Sequence, residues 1–386
     1  MHYFLISGEA SGDLHGSHLI AALKQHDPTA RFSFLGGDKM ASEAGTDPII
    51  HYRQMAYMGF SEVLRHLPAV LGNLRRTKKE VIARRPDCVI LIDYPSFNLK
   101  VARTAAKAGI PVYYYISPKI WAWKTWRVKA IRRTVRRVFS ILPFEPEFYR
   151  SHGYEATYVG NPSVNEVDNI LKGIASYDDF IATHRLHRRP LIALMPGSRI
   201  GEIRNNLPVM TAALDTVPQY RGVIIGAPSV DDEVYARFGA GGIPVLREKS
   251  AVDILPHCRA ALVTSGTATL ETALAGTPQV ALYRGNGSRL TYSIMKRILS
   301  IPFVTLPNLI AGRQVIPELL MNFCTPEAAS EALIPLLRDD SPQRQAQIDG
   351  YSEIRNRLGT SDAAQTTACE IISDLSGQAT KPRNAF

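Results

Sequence analysis

The chain is poor in everything that builds a metal centre, a disulfide scaffold or a membrane span. Its 386 residues include only four cysteines, Cys88, Cys258, Cys324 and Cys369, with no CxxC or histidine-paired spacing. That argues against a zinc site and a disulfide framework and fits a reducing cytoplasm. Neither a metal nor another cofactor is expected. No run of about 18 apolar residues occurs, so no transmembrane segment is expected. The opening MHYFLISGEASGD lacks the cationic and apolar regions of a secretory leader. No GxGxxG follows a strand, and there is no tandem repeat or low-complexity tract. Acidic residues are also undersupplied, 35 against 45 Lys and Arg, for a formal net charge of +10. This excess predicts an anionic partner: nucleic acid, an anionic lipid surface or a phosphorylated substrate.

What is present reads as two successive α/β units, since the length exceeds what one core usually serves. Residues 2–7 form an apolar strand, followed by the glycine-rich stretch 8–16, taken as a loop carrying Glu9, Asp13 and His15, and by a helix from residue 19. Residues 86–93 are a continuous apolar strand of the doubly covered kind, ending in Asp93. Residues 111–116 form another, and 138–142 with 158–162 close the first unit. The polar stretch 165–188 reads as the connection. The second unit opens with strand 191–195 and the turn Gly197-Ser198-Arg199, then a helix interrupted or kinked at Pro208. Strand 261–263, the turn Ser265-Gly266-Thr267 with Ser265 as N-cap, and a helix over 267–275 follow. Residues 317–337 and 363–375 read as helical. The expected domains are 1–165, 166–350 and a C-terminal segment 351–386 whose helix can cross back to the first domain.

The fold class this implies is two Rossmann-like, doubly wound domains with a cleft between them. Small-residue turns feeding helix N-termini suit phosphate, so 197–199 and 265–267 are candidate anion turns, and Arg199 can clamp a diphosphate. Glu271 lies one turn further along, within reach of a ribose. Asp93, Asp13, Glu9 and His15 supply candidates for a general base. A diphosphate-linked donor opposite a base is the layout of group transfer with a nucleoside-diphosphate leaving group. Two other stretches are basic and amphipathic. In the first, Phe60, Leu64, Leu67 and Leu71 share a helix face, with Pro68 kinking or dividing the helix and Arg75, Arg76 and further cations following. In the second, seven Lys or Arg and no acid lie between 124 and 137, with Lys129, Arg133 and Arg137 on one helical face. Either can be an interfacial membrane element, or a core-packed helix with solvated cations.

Eight ordered blocks then resemble the motifs of lipid-A-disaccharide synthases: GEASGD (8–13), MGFSEVL (58–64), DYPSFN (93–98), SPKIWAW (117–123), GNPSV (160–164), MPGSR (195–199), SGTATLE (265–271) and LPNLIAG (306–312). The resemblance implies the type-B glycosyltransferase fold. It also implies metal-free, inverting transfer of 2,3-diacylglucosamine from its UDP conjugate to 2,3-diacylglucosamine 1-phosphate, giving a β-1,6-linked disaccharide in lipid A and lipopolysaccharide synthesis. Carried across, it makes Asp93 the base, with Asp13 and Glu9 orienting it or the acceptor. Gly197, Ser198 and Arg199 bind the diphosphate, Ser265, Gly266 and Thr267 supply backbone donors, Glu271 holds the ribose, and Asn308 lines the donor site. Segment 284–288 is more glycine-rich than the family pattern. The implied partners are UDP-2,3-diacylglucosamine, 2,3-diacylglucosamine 1-phosphate and an anionic inner-membrane surface, met peripherally from the cytoplasm. Nucleic acid is not among them, and homo-oligomerisation is compatible with the pattern.

Two rivals remain at this stage. A UDP-N-acetylglucosamine 2-epimerase shares the fold but has no need of an apolar helix beside clustered cations. A nucleic-acid-binding protein using residues 127–137 with Trp121, Trp123 and Trp126 leaves the strand-end residues unexplained.

Overall fold

The apolar runs assemble into two parallel sheets in this computed structural model, which describes residues 1–55, 67–122, 125–285 and 302–377. The chain divides into two compact units, Met1–Pro162 with Thr360–Phe386, and Ser163–Gly359.

The first unit holds β1 (His2–Ile6), β2 (Arg31–Gly36), β3 (Ile50–His51), β4 (Cys88–Ile92), β5 (Val112–Tyr115), β6 (Arg137–Ser140) and β7 (Ala156–Tyr158). They lie in the order β3-β2-β1-β4-β5-β6-β7. Successive side chains of a strand face opposite ways. Phe4, Ile6, Val89 and Leu91 therefore enter one core, and Tyr3, Leu5, Cys88 and Ile90 the other. A Val, Leu or Ile so buried contributes roughly 1.5–3 kcal/mol, which is why these strands are apolar throughout.

The second unit repeats the pattern with β8 (Leu191–Met195), β9 (Arg221–Ile225), β10 (Val245–Leu246), β11 (Cys258–Thr264), β12 (Gln279–Tyr283) and β13 (Glu318–Leu320), ordered β10-β9-β8-β11-β12-β13. Both sheets thus follow the doubly wound order. Their switch points fall between β1 and β4 and between β8 and β11.

The helix Ala363–Leu375 belongs to the first unit. Ala364, Ala368 and Ile371 enter the core of Leu19, Ile20 and Leu23. Tyr113 donates to Asp374 at 2.5 Å, Arg136 pairs with Asp374 at 2.6 Å, and Arg137 pairs with Glu370 at 2.7 Å.

Several expectations are corrected. Asp13 and His15 stand on the helix Ala10–His26, not on a loop. The stretch read as a polar connection contains the helices Pro162–Leu171 and Tyr177–Thr183. Residues 317–337 are not one helix, because β13 and the helix Pro326–Leu333 share them. Pro208 sits within an unbroken helix, Ile200–Asp215. Pro68 stands in the first turn of the helix Leu67–Arg84, where proline is tolerated, and the stretch 56–66 before it lies outside the described residues. Residues 124–137 are not one helix either: Val128–Thr134 is helical, and Arg137 opens β6. No helix among the described residues is long and apolar enough to cross a membrane.

Candidate active site

At the first switch point β4 ends and the chain turns through Asp93 and Tyr94, both left-handed at φ 41° and 46°. Non-glycine residues in that region cost on the order of 1–3 kcal/mol each and persist only where neighbours hold them. Here the Asp93 carbonyl accepts from Asn98 Nδ2 at 2.7 Å and from Tyr114 Oη at 2.6 Å. Its N–H donates to Ile116 O at 3.3 Å, and Tyr94 Oη reaches Met55 O at 3.2 Å. Gly8 is required here: a Cβ would meet the Tyr94 ring at 2.5 Å. The bent backbone is therefore clamped on every side.

Burial pushes the Asp93 carboxyl up to about 6, helped by the Glu9 carboxylate and opposed by Lys119. Glu9, at the N-cap of the helix Ala10–His26, accepts from Ser11 Oγ at 2.8 Å. Glu9 and Asp93 are brought together, and Asp13 takes a different role. Its carboxylate accepts from the N–H groups of Gly37 at 2.6 Å, Lys39 at 3.1 Å and Met40 at 3.2 Å, so it caps the helix Asp38–Ala44. That is a correction: Asp13 is a buried cap, not an open base.

At the second switch point Gly197 has φ 117°, and a Cβ there would meet the Glu202 side chain at 2.6 Å. Glu202 closes over the turn, accepting from Ser198 N–H at 3.1 Å and pairing with Arg199 at 3.1 Å. Arg199 is the N-cap of Ile200–Asp215, and its side chain is 65% exposed. The Arg199 guanidinium is thus oriented by a carboxylate at the mouth of the turn.

The next turn differs from expectation. Ser265 N–H donates to Leu282 O at 3.0 Å in the sheet, so it is not a free donor, and Gly266 rather than Ser265 is the N-cap. The first-turn N–H groups of Thr267 and Ala268 have no intrahelical acceptor. Glu271 is half-buried, with no side-chain hydrogen bond among the described residues, and burial raises its pKa.

Asn308 is a second correction. It is fully buried, and all its capacity is used: Nδ2 donates to Ile316 O and Glu318 Oε1, both at 2.9 Å, while Oδ1 accepts from Val315 N at 2.7 Å and Ile316 N at 2.9 Å. Its side-chain amide has no lone pair or N–H left for a ligand. Glu318, not singled out from sequence, completes this knot by accepting from Thr305 N at 2.9 Å and Oγ1 at 2.7 Å.

Asn206 was also missed. It is 1% exposed, donates to Thr264 Oγ1 at 3.1 Å and accepts from Arg284 N at 2.8 Å, bracing the ends of β11 and β12. Its signal was available: an asparagine inside the apolar stripe Ile203, Leu207, Met210.

Of the basic stretches, Phe60, Leu64, Trp123, Lys124 and the side chain of Leu67 lie outside the described residues, as do residues 286–288 of the glycine-rich segment. The helix Leu67–Arg84 buries Leu74, Thr77 and Val81 while exposing Leu71, Arg75, Arg76 and Ile82. The helix Val128–Thr134 buries Val128 and Ile131 and exposes Lys129 and Arg133, with Trp126 66% exposed beside it.

The comparisons with known proteins agree in one direction. The family model for lipid-A-disaccharide synthetase matches residues 3–371. A lipid-A-disaccharide synthase of Myxococcus xanthus is 40% identical over 377 residues, 96% of each chain. One of Acidobacterium capsulatum is 37% identical over 374 residues, 92% of each. Among solved structures, UDP-GlcNAc 2-epimerase from Neisseria meningitidis bound to UDP-GlcNAc superposes with a TM-score of 0.64 at 13% identity, covering 98% of this chain and 100% of that one. At that identity the likeness establishes the fold alone, that of the type-B glycosyltransferases.

Proposed function

The chain belongs to the lipid-A-disaccharide synthase family, and from that premise we propose how its two switch points divide the work. It is a glycosyltransferase acting on a UDP-sugar and a sugar acceptor. In our reading the donor is UDP-2,3-diacylglucosamine and the acceptor 2,3-diacylglucosamine 1-phosphate, with UDP and the β-1,6-linked disaccharide 1-phosphate as products. The first unit takes the acceptor and the second the UDP-sugar.

Asp93 accepts the proton of the acceptor 6-hydroxyl as that oxygen attacks C1 of the donor. The O6–C1 bond forms, the C1–O bond to the diphosphate breaks, and UDP leaves with the electron pair, inverting C1. A carboxylate titrating at about 6 is a stronger base than an ordinary one yet still ionised at neutral pH. Leaving-group charge falls to Arg199 and the N–H groups of Thr267 and Ala268, donors fixed before the reaction begins. Glu271 accepts from the ribose. This set works without a divalent ion, so EDTA should leave turnover unchanged. The observation that carries the reading is the clamped, half-buried Asp93 at the carboxyl end of a central strand. Its test is incubation with both acyl-sugars and mass spectrometry for UDP and the disaccharide; absence of both products overturns it.

We also propose peripheral contact with an anionic membrane through Leu71, Arg75, Arg76 and Ile82, with Lys129, Arg133 and Trp126 as a second patch. Each cation near an anionic leaflet contributes about 1 kcal/mol, screened by salt, whereas inserted apolar groups are salt-insensitive. Vesicle binding should fall with salt without vanishing, and Leu71→Ser with Ile82→Ser should remove the residue that survives high salt. Binding unaffected by the double variant sinks this surface.

A further inference from the structure

Glu145 is a carboxylate sealed within the first unit, 1% exposed, and no step above uses it. It opens the helix Glu145–Ser151, just beyond β6. Its Oε1 accepts from Ser117 Oγ at 2.9 Å and Trp121 Nε1 at 3.0 Å, and its Oε2 from Leu142 N–H at 3.3 Å. The Trp121 ring stands edge-on to Phe144, centroids 5.0 Å apart. Burial pushes the Glu145 carboxyl up to about 7 despite these three donors. A buried ionisable group is costly, and packing alone is better served by an apolar side chain.

What it ties together indicates its task. Strands β4, β5 and β6 are neighbours in the sheet. Beyond their carboxyl ends stand, in turn, Asp93, residues 117–121, and Leu142 with Glu145. The strap 117–121 begins directly after Ile116, whose carbonyl holds the Asp93 N–H. Lys119, exposed in the middle of the strap, acts electrostatically on both the Asp93 and Glu145 carboxylates. Nothing else in the strap is cationic.

We propose that Glu145 is a positioning residue that fixes residues 117–121 as a wall of the acceptor site, holding the Lys119 ammonium where an anionic group of the acceptor binds beside Asp93. This rests on the assignment of Asp93 as base and of the first unit to the acceptor, and it adds the group that meets the acceptor's phosphate.

The test is acceptor kinetics and competition binding, using the acyl-sugar 1-phosphate and the same sugar without its phosphate. Glu145→Ala should raise the acceptor KM by up to about 10²-fold, the scale of a misplacement of about 1 Å, with UDP affinity unchanged by calorimetry. Glu145→Gln keeps an oxygen for Ser117 and Trp121 and should recover most of that loss. Lys119→Gln should weaken the phosphorylated acceptor about tenfold, the scale of one charged hydrogen bond, and leave the dephosphorylated sugar unaffected; Lys119→Arg should retain wild-type preference. The proposal is overturned if Glu145→Ala binds acceptor normally, if Glu145→Gln is no better than Glu145→Ala, or if Lys119→Gln weakens both sugars equally. Should Glu145→Ala fail to fold, the Lys119 pair decides. Asp93→Asn run in parallel separates the premise: turnover retained there removes Asp93 as base, while the acceptor affinities still judge Lys119 and Glu145.

Discussion

The two units share a strand order and place opposite charge at the same topological position. After β1 and β4 the first presents carboxylates, Glu9 and Asp93, on a backbone bent through two left-handed residues. After β8 and β11 the second presents Arg199 and first-turn N–H groups on turns whose positive φ falls on glycines, Gly197 and Gly266. Parallel topology supplies the location in both. The sign of the field is left to a handful of side chains. The difference separates two devices: the first unit holds non-glycine residues in the left-handed region and a perturbed carboxyl, while the second offers backbone dipoles and one oriented cation.

That contrast is broken most severely at Asp93. Asp93→Asn should lower turnover by roughly 10²–10⁴ with UDP affinity intact, and near-wild-type turnover would shift the base to Glu9. Arg199→Ala should act on the other half only, weakening UDP by about tenfold in calorimetry, one charge-assisted contact; equal affinity removes Arg199 from the diphosphate. A smaller effect lies in the pH profile. The base works deprotonated, so kcat/KM should rise with pH through a midpoint near 6. Because the Glu9 charge helps raise that midpoint, Glu9→Gln should move it to lower pH, and no movement would place Glu9 outside Asp93's field. Smallest is Glu271→Gln, since an amide oxygen still accepts from a ribose hydroxyl; a loss as large as that of Arg199→Ala would show that its charge, not its acceptor, is used.

Much of this was legible in the chain itself. Strands buried on both faces, such as β4, β8 and β11, announce themselves as unbroken apolar runs, and Ala363–Leu375 has clear helical period. β2, RFSFLG, mixes its phenylalanines with Arg31 and Ser33 and gave no such run. The carboxyl ends of the strong strands located Asp93 and Arg199. Sequence could not say where lone pairs and N–H groups are already committed. Ser265 sits in the right motif but its N–H belongs to Leu282; Asn308 sits in another, but its amide is closed on residues 315–318. Such commitments are made by segments that only folding brings together, as with Glu145 and Trp121. The basic stretch 124–137 misled for the same reason, since Arg136 and Arg137 answer to acids on Ala363–Leu375.

That returning helix also sets a schedule for biosynthesis. The ribosome completes the first sheet by Tyr158, but Ala364, Ala368 and Ile371 emerge roughly 200 residues later, about 10–40 s of elongation at about 5–20 residues per second. Until then the nascent chain carries an uncovered apolar flank along Leu19, Ile20 and Leu23, and Asp374 has yet to meet Tyr113. The second unit, contiguous from Ser163 to Gly359, can finish during that interval. The half that begins first is therefore sealed last. A ribosome stalled between those points would release a product whose exposed flank invites chaperones and proteases.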